Sequence, residues 1–290
     1  MLIVAIGASL IAAALNAGSS ILERLATSTP GLHKLFSTRE TIKNSFSNLF
    51  LMGMGLQILA AIIQAVALSK APLTLVEPLM TTDLLFLLII IHYRLDAGIR
   101  AKEWLAAGAM IAGMTVLFLT AQPAGGHLRY AFTPWLYIIV TSSAVVVIAL
   151  ALVKLVTSPK QRAAFAAIAA AVSYALNAAF TKLALTQWQR HGIIYVLLSW
   201  PLYALAVSGA ASIYLMQLAF GSGPLAVAQP IIEVIEPSVS VIIGISVFGD
   251  QIQHGTDALA IELLAVAVIV LGILILGSSE WVQLAGENEM

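Results

Sequence analysis

Long apolar stretches separated by short polar segments dominate this chain. A helix that crosses a membrane needs about 20 predominantly apolar residues. We number the stretches that meet this length as runs 1 to 9: 2–22, 47–69, 71–92, 104–121, 134–153, 163–185, 193–220, 224–248 and 258–277. The pattern predicts an all-α, polytopic membrane helix bundle of about nine transmembrane helices.

Two segments leave the helix count open. Run 7 is long and contains Pro201 and Gly209, so it fits either one kinked helix or two short ones, and ten spans remain an alternative. Residues 23–46 are mixed and polar, which fits a loop or an interfacial helix. Run 1 has no basic residue before Arg24, whereas a secretory signal peptide begins with a positive region, so we expect run 1 to be retained.

Composition agrees with a chain that lies in a lipid bilayer. Sixty per cent of the residues are hydrophobic and only 10% are charged, whereas soluble domains carry about 25% charged residues. Lys and Arg total 14, as do Asp and Glu. This balance argues against nucleic acid as a partner, which calls for a basic excess. The absence of cysteine excludes disulfides and thiolate metal sites.

The distribution of Lys and Arg predicts the orientation, because cytoplasmic loops carry the excess of these residues. With nine spans, the loops after runs 1, 3 and 5 hold ten of the 14 basic residues. The opposite loops hold Lys70, Arg129 and Arg190, and Lys182 lies inside run 6. We therefore expect a plasma-membrane protein with its N-terminus outside and its acidic C-terminus in the cytoplasm.

Matching positions recur in the two halves of the chain. They are Ala14–Ala17 with Ala175–Ala178, Pro72 with Pro224, Pro78 with Pro230, and Gly113 with Gly272. Runs 1 to 4 thus correspond to runs 6 to 9, and run 5 is a single crossing between them. A repeat separated by an odd number of crossings is inverted in the membrane. Inverted repeats are typical of secondary transporters, whose binding sites lie near the midplane between the halves.

The repeat predicts the organisation of the chain. We expect a first transmembrane repeat over 1–121, a connecting helix with its loops over 122–162, and a second transmembrane repeat over 163–277. The remaining residues, 278–290, are expected to form a cytoplasmic tail.

The segment between runs 2 and 3 resembles a known family. Residues 67–79 read Ala-Leu-Ser-Lys-Ala-Pro-Leu-Thr-Leu-Val-Glu-Pro-Leu. They resemble an element that joins two helices in the drug/metabolite transporter (DMT, EamA-like) superfamily. The pattern is most similar to that of the NIPA branch, whose members are described as magnesium transporters. The resemblance implies a transporter fold and makes magnesium the first expected cargo.

Four acidic residues inside the apolar runs are candidate site residues. Charged side chains at the centre of a membrane helix cost about 2.5–3.5 kcal/mol each on insertion scales, so they call for a functional explanation. Run 3 contains Glu77 and Asp83, and run 8 contains Glu233 and Glu236. Glu233 and Glu236 are three residues apart and share one helix face. Glu77 and Asp83 would lie about 120° apart on a continuous helix, so we expect them to face different directions.

Prolines in the same runs leave backbone carbonyls without a helical donor, and these carbonyls are possible oxygen ligands. Pro237 has no backbone N–H, so the carbonyl of Glu233 loses its helical donor. Carboxylates beside free carbonyls suit a hard cation or a proton relay, and Mg²⁺ needs only one or two carboxylates because it keeps several waters. We therefore predict that Glu233, Glu236 and Asp83 bind a transported cation. The alternative is that the acids are protonated and hydrogen-bonded to neighbouring helices.

Six side-chain amides complete the candidate set for substrate binding or coupling. They are Asn16, Gln57, Gln64, Asn177, Gln217 and Gln229. Amides in membrane helices also join neighbouring helices by hydrogen bonds, and this role remains the alternative. Lys182 lies close enough to the end of run 6 that we expect its side chain to extend to the membrane surface.

Missing motifs narrow the function. No histidine lies in the middle of a run, and neither a GxGxxG nor a Walker A sequence is present. We therefore expect no enzyme and no cofactor. The prediction is a secondary transporter that works by alternating access at a site between runs 3 and 8, with a divalent cation such as magnesium as cargo. A small polar metabolite or drug, imported or exported, is the second candidate. A non-transporting membrane subunit and an intramembrane enzyme are the other classes, and a homodimer is left open.

Overall fold

A computed structural model of the chain describes residues 2–27, 48–95, 100–121, 132–223, 225–251 and 258–277. Pro224 and the predicted tail lie outside these ranges. The elements within them are helices: α1 Leu2–Thr27, α2 Asn48–Lys70, α3 Leu73–Met80, α4 Asp83–Leu95, α5 Ala101–Ala121, α6 Phe132–Leu155, α7 Pro159–His191, α8 Ile193–Leu198, α9 Trp200–Ser222, α10 Leu225–Ile243 and α11 Ala258–Gly277. A π-helical turn, Gly244–Phe248, continues α10.

The predicted membrane helix bundle is confirmed at the level of its class. Seven helical stretches among the described residues are long and apolar enough to cross a membrane, and one of them joins α3 and α4. Helices α5 and α11 are also apolar, with 21 and 20 residues. The total of nine spans stays a prediction.

Run 3 is two helices rather than one, because the chain turns at Thr81 and Thr82. The Thr81 hydroxyl donates to the carbonyl of Pro78 at 2.8 Å, and the Thr82 hydroxyl donates to the carbonyl of Leu79 at 2.7 Å. The Thr82 amide also bonds Leu79, at 3.1 Å, in a tighter turn than an α-helix makes. These local bonds compete with the helical pattern, so α3 ends and α4 begins again at Asp83.

Run 7 is also divided, at Ser199. This residue is extended, with φ −97° and ψ 147°, and Pro201 lies in the first turn of α9. The residues before it form α8, which has six residues. At 1.5 Å per residue such a helix is about 9 Å long and cannot cross a hydrocarbon core about 30 Å thick. Run 7 therefore provides one spanning helix, α9.

Helix α7 lies at the centre of the bundle. It is 33 residues long and rich in alanine, and it packs against α9, α10 and α6 and also touches α2 and α3. Ala171, Ala175 and Ala179 are fully buried along it. Small side chains let helix backbones approach closely, which explains how one helix accommodates so many neighbours.

The two halves of the chain use corresponding helix pairs. In the first half, α1 packs against α2, α3 and α4; in the second, α7 packs against α9 and α10. Helix α5 of the first half packs against α11 of the second, and α3 packs against α10. The halves therefore meet through these two pairs and through the contacts of α7 with α2 and α3.

The apolar core differs between the two ends of the bundle. At the end where α1, α3 and α6 begin, one cluster joins both halves; we call this the sealed end. Its members include Leu73, Val76, Leu176, Phe180, Val247 and Phe248. At the opposite end the core consists of two separate clusters, so we call it the divided end. One cluster comes from α1, α4, α5 and α11, and the other from α6, α7, α9 and α10.

Candidate functional site

The four predicted acids come together between α10 and the broken helix α3–α4. They are Glu77 on α3, Asp83 at the start of α4, and Glu233 and Glu236 on α10. The charge of Glu236 interacts with those of Glu77 and Asp83. Glu233 interacts in the same way with Asp83 and Glu236. The acids therefore form one electrostatic cluster, to which both predicted halves contribute.

The prediction that Glu77 and Asp83 face different directions stays a prediction. It assumed one continuous helix through run 3, and the turn at Thr81 and Thr82 interrupts that helix. The charges of both carboxylates interact with that of Glu236.

Amides bind three of the acids. Gln64 Nε2 of α2 donates to Glu77 Oε1 at 3.1 Å, and Asn16 Nδ2 of α1 donates to Asp83 Oδ2 at 2.9 Å. Gln229, one turn before Glu233 on α10, hydrogen-bonds that carboxylate. The second oxygen of Asp83, Oδ1, is buried and has no hydrogen-bond partner among the described residues.

The remaining predicted amides have other positions. Asn177 Nδ2 donates to the carbonyl of Leu205 at 3.0 Å and to Ser208 Oγ at 3.3 Å, so it joins α7 to α9. Gln57 is half-buried on α2, and Gln217 is exposed on α9. No described contact connects these three amides to the acids.

One face of α10 is polar along its length. With 100° per residue, four of its five polar positions fall within an arc of about 60°, and Ser238 lies on the opposite, exposed side. The four are Gln229, Glu233, Glu236 and Ser240. Ser240 was missed in the sequence reading, although it follows Glu236 by one turn on the same face. It is 0% exposed, and its hydroxyl has no hydrogen-bond partner within the described part of the chain.

The cluster is not a preformed metal cage. Among the described residues, no three His, Asp or Glu side chains lie close enough together to hold a metal ion. The predicted ligands Glu233, Glu236 and Asp83 thus interact through their charges without converging on one point. A hard cation between them would have to keep part of its water shell, as Mg²⁺ commonly does in proteins.

A second polar group closes the bundle at the sealed end, where Asp250 follows α10. Asp250 Oδ2 accepts hydrogen bonds from the backbone N–H and the hydroxyl of Thr74, both at 3.3 Å. Thr74 lies in the first turn of α3, where backbone N–H groups have no helical partner and a negative charge is favourable. Gly249, with φ +66°, turns the chain so that Asp250 reaches this position.

Lys182 of α7 binds the same acid. Its Nζ lies 3.7 Å from Asp250 Oδ1 and 4.8 Å from the ring centroid of Phe248, and its charge also interacts with that of Glu77. The prediction that Lys182 extends to the membrane surface is wrong. The residue is only 9% exposed, and its ammonium is paired inside the bundle with Asp250.

Aromatic rings surround this ion pair at the sealed end. Trp135 of α6, 2% exposed, lies 5.8 Å from Phe180, 5.9 Å from Trp200 and 5.5 Å from Phe248, measured between ring centroids. Such pairs contribute about 0.5–1.5 kcal/mol each beyond their buried area. The cluster connects α6, α7, α9 and the end of α10.

The acids therefore lie where the apolar core divides into two clusters. Above them, α3 packs against α10 and its π-helical turn. Below them, α4 makes no comparably close approach to α10 within the described residues. Glu233 and Glu236 are only half-buried, in keeping with their position beside the divided end.

The comparisons with known proteins identify one distant relative. A protein of Corynebacterium glutamicum whose printed name is "uncharacterized" is 23% identical over 236 residues, which cover 81% of each chain. No protein-family model matches the chain. No solved structure matches it. The resemblance to the DMT superfamily and its NIPA branch stays a prediction.

Proposed function

We propose that this protein is a secondary transporter that moves a cation across the plasma membrane by alternating access. The observation that carries the proposal is the cluster of Glu77, Asp83, Glu233 and Glu236, which is built from both halves and lies between a sealed and a divided end. An intramembrane enzyme or a non-transporting subunit has no evident use for such a cluster at that position.

Charge favours a cation as cargo. The charge of Glu236 interacts with those of the other three carboxylates, and Lys182, whose charge interacts with that of Glu77, is already paired with Asp250. Mutual repulsion and burial make this arrangement costly unless protons or a cation neutralise it. A cation that enters from the divided end would reduce both the repulsion between the carboxylates and the cost of burying them. Binding of the cation and neutralisation of the acids would therefore occur together.

Magnesium is the first candidate within this class. The cluster offers carboxylate, amide and hydroxyl oxygens, which are the ligands of hard cations, and the chain contains no cysteine. The resemblance of residues 67–79 to the NIPA branch points to the same cargo. The absence of a close three-ligand group among the described acids agrees with a cargo that keeps part of its hydration shell.

A small organic cation is the second candidate. Asp83 Oδ1 and Ser240 Oγ are buried polar atoms with no partner among the described residues. A metabolite or drug with an ammonium group and further hydrogen-bonding groups could satisfy both atoms while it neutralises the acids.

Alternating access agrees with the asymmetry of the two ends. The basic residues predict that the sealed end faces outside, so the described conformation would be open toward the cytoplasm. An inverted repeat supplies the second conformation, because exchanging the arrangements of the two halves closes the divided end and opens the sealed one. Exchange of the cargo for protons at the same carboxylates is the simplest coupling.

The experiment is flux into proteoliposomes, measured for Mg²⁺, other divalent cations and a panel of organic cations, with and without a proton gradient. We expect saturable flux of one of these classes. Glu236→Gln should fold normally and lose flux, since it keeps the shape and removes the charge.

The matched control is Glu103→Gln. Glu103 accepts a hydrogen bond from the N–H of Arg100 at 2.7 Å at the start of α5, and a glutamine can accept the same bond. This variant should transport like the wild type. Wild-type flux from Glu236→Gln, Glu233→Gln and Asp83→Asn together would refute the role of the acids.

A further inference from the structure

We propose that Lys182 is a positioning residue that, through Asp250, holds the sealed end shut and forms the barrier between the central acids and that side of the membrane. The inference rests on the proposed function. It assigns a role to three residues, Lys182, Asp250 and Thr74, that lie outside the acid cluster.

Asp250 is the point where three parts of the bundle meet. One of its oxygens binds the first turn of α3 through Thr74, and the other faces Lys182 of α7, while Asp250 itself follows the end of α10. The contact therefore ties the first half to the second at the sealed end. Because Asp250 is 4% exposed, opening this end would expose or separate a buried charge pair.

Gly244 lets the end of α10 approach α3 closely. A Cβ atom on Gly244 would lie 2.7 Å from Asp250 Oδ2 and 2.9 Å from Thr74 Cγ2. These distances are shorter than van der Waals contact, so a glycine is needed for α10 to approach α3 this closely. The contact between the end of α10 and α3 therefore belongs both to the apolar cluster of the sealed end and to the pairing of Asp250 with Thr74.

Lys182 also faces the acid cluster. Its ammonium interacts with Glu77 as well as with Asp250, so it stands between the cluster and the sealed side. A cation that leaves the cluster in that direction meets a like charge in a poorly hydrated environment, where repulsion is strong. Removal of this charge would lower the barrier as well as break the contact.

The test uses the absence of cysteine in this chain. Ser240→Cys is nearly isosteric and places a single thiol on the buried face of α10 between Glu236 and Gly244. Its rate of reaction with a small impermeant methanethiosulfonate reagent is measured in the full-length protein, in membrane vesicles of each orientation. A separate Lys70→Cys variant identifies the sealed side, because Lys70 is exposed at the end of α2.

We expect the thiol at position 240 to react slowly from the sealed side in the otherwise unchanged chain. Addition of Lys182→Met should accelerate this reaction about tenfold or more, since loss of one member of a buried ion pair shifts the open population by at least that factor. Asp250→Asn should act in the same direction. Lys182→Arg keeps the charge and should leave the rate low.

Two results would overturn the proposal. One is rapid labelling of Ser240→Cys from the sealed side with Lys182 present; the other is no acceleration in either Lys182→Met or Asp250→Asn. A single elution peak and a cooperative thermal transition in detergent show that the variants are folded. Labelling does not depend on flux. If the wild-type protein transports nothing, the proposed function is refuted, and the labelling rates still test whether Lys182 and Asp250 hold the sealed end shut.

Discussion

Gly113 of α5 and Gly272 of α11 occupy equivalent places in one helix crossing. A Cβ on Gly113 would lie 3.0 Å from the carbonyl oxygen of Ala265, and a Cβ on Gly272 would lie 3.0 Å from that of Ala106. Ala265 precedes Gly272 by seven residues, and Ala106 precedes Gly113 by seven. Each glycine therefore meets the same position of the other helix, as a local two-fold relationship between α5 and α11 requires.

This crossing should not tolerate a side chain at either glycine. Gly113→Leu is expected to destabilise the protein by about 1–3 kcal/mol, because the added atoms would meet the backbone of α11 as well as the Ile269 side chain. Gly108, on the same helix, has no atom within 4 Å of an added Cβ. Gly108→Leu is the matched control and should unfold like the wild type when the thermal midpoint is measured in detergent. Equal midpoints for both variants would contradict the close crossing.

The overall fold was largely predictable because the membrane imposes a simple rule on sequence. Apolar runs of about 20 residues predict the helices; the division of run 7 was left open, and the interruption of run 3 was missed. The turn at Thr81 and Thr82 depends on side-chain hydrogen bonds to Pro78 and Leu79. Competition between such side-chain bonds and the helical backbone bonds does not change the hydrophobicity pattern. The pattern therefore predicted a continuous helix.

The acids of the site could be predicted from the sequence, but the ion pair beside them could not. Buried carboxylates stand out in an apolar run because each one is costly. The partner of Lys182 did not stand out, because Asp250 lies 68 residues away, at the end of a different run. A lysine deep inside an apolar run predicts that an acid lies at the same depth, but only tertiary structure selects which one. A serine in an apolar run is ordinary, so Ser240 does not stand out in the sequence. It is identified by its buried hydroxyl, which has no hydrogen-bond partner among the described residues.

Asn16 and Asn177 correspond in the repeat but should differ in function. Asn16 donates to the carboxylate of Asp83, whereas Asn177 donates to a backbone carbonyl and to Ser208. Asn16→Leu should reduce flux strongly, because it deprives a site carboxylate of its donor. Asn177→Leu should leave flux near the wild type and lower stability by about 0.6 kcal/mol, the usual value for such a bond in a membrane. Proteoliposome flux and thermal midpoints, measured on both variants, give the answer. The reverse pattern would show that the first amide is structural.

Two lysines at opposite ends of the bundle test the predicted orientation. Lys70 ends α2 at the sealed end, and Lys154 lies in the last turn of α6 at the divided end; both are exposed. In intact cells, a cysteine at position 70 should react with an impermeant thiol reagent, and a cysteine at position 154 should react only after the membrane is permeabilised. The converse labelling would reverse the orientation and, with it, the side to which the described conformation is open.

A disulfide across the sealed end should stop transport reversibly. A Cβ on Gly244 would lie 2.9 Å from Thr74 Cγ2, so cysteines at positions 74 and 244 would have Cβ atoms within the separation of about 3.5–4.5 Å that a disulfide needs. The added Cβ would displace the Asp250 carboxylate, 2.7 Å away, and the bond would hold α3 against the end of α10. If the cargo must leave through this end, oxidation should reduce flux to the background of empty liposomes, and a reductant should restore it.

The matched control is a disulfide between two helices of the same half. Ser19 Oγ lies 2.9 Å from the carbonyl oxygen of Gly53, which brings α1 and α2 close enough for a cysteine pair at positions 19 and 53. Because alternating access moves the halves relative to each other, a bond within one half should leave flux largely intact. Full flux from the 74–244 pair, with the disulfide shown to be formed by a gel shift, would exclude opening at the sealed end. Loss of flux from both pairs would instead indicate that the helices within the first half also move during transport.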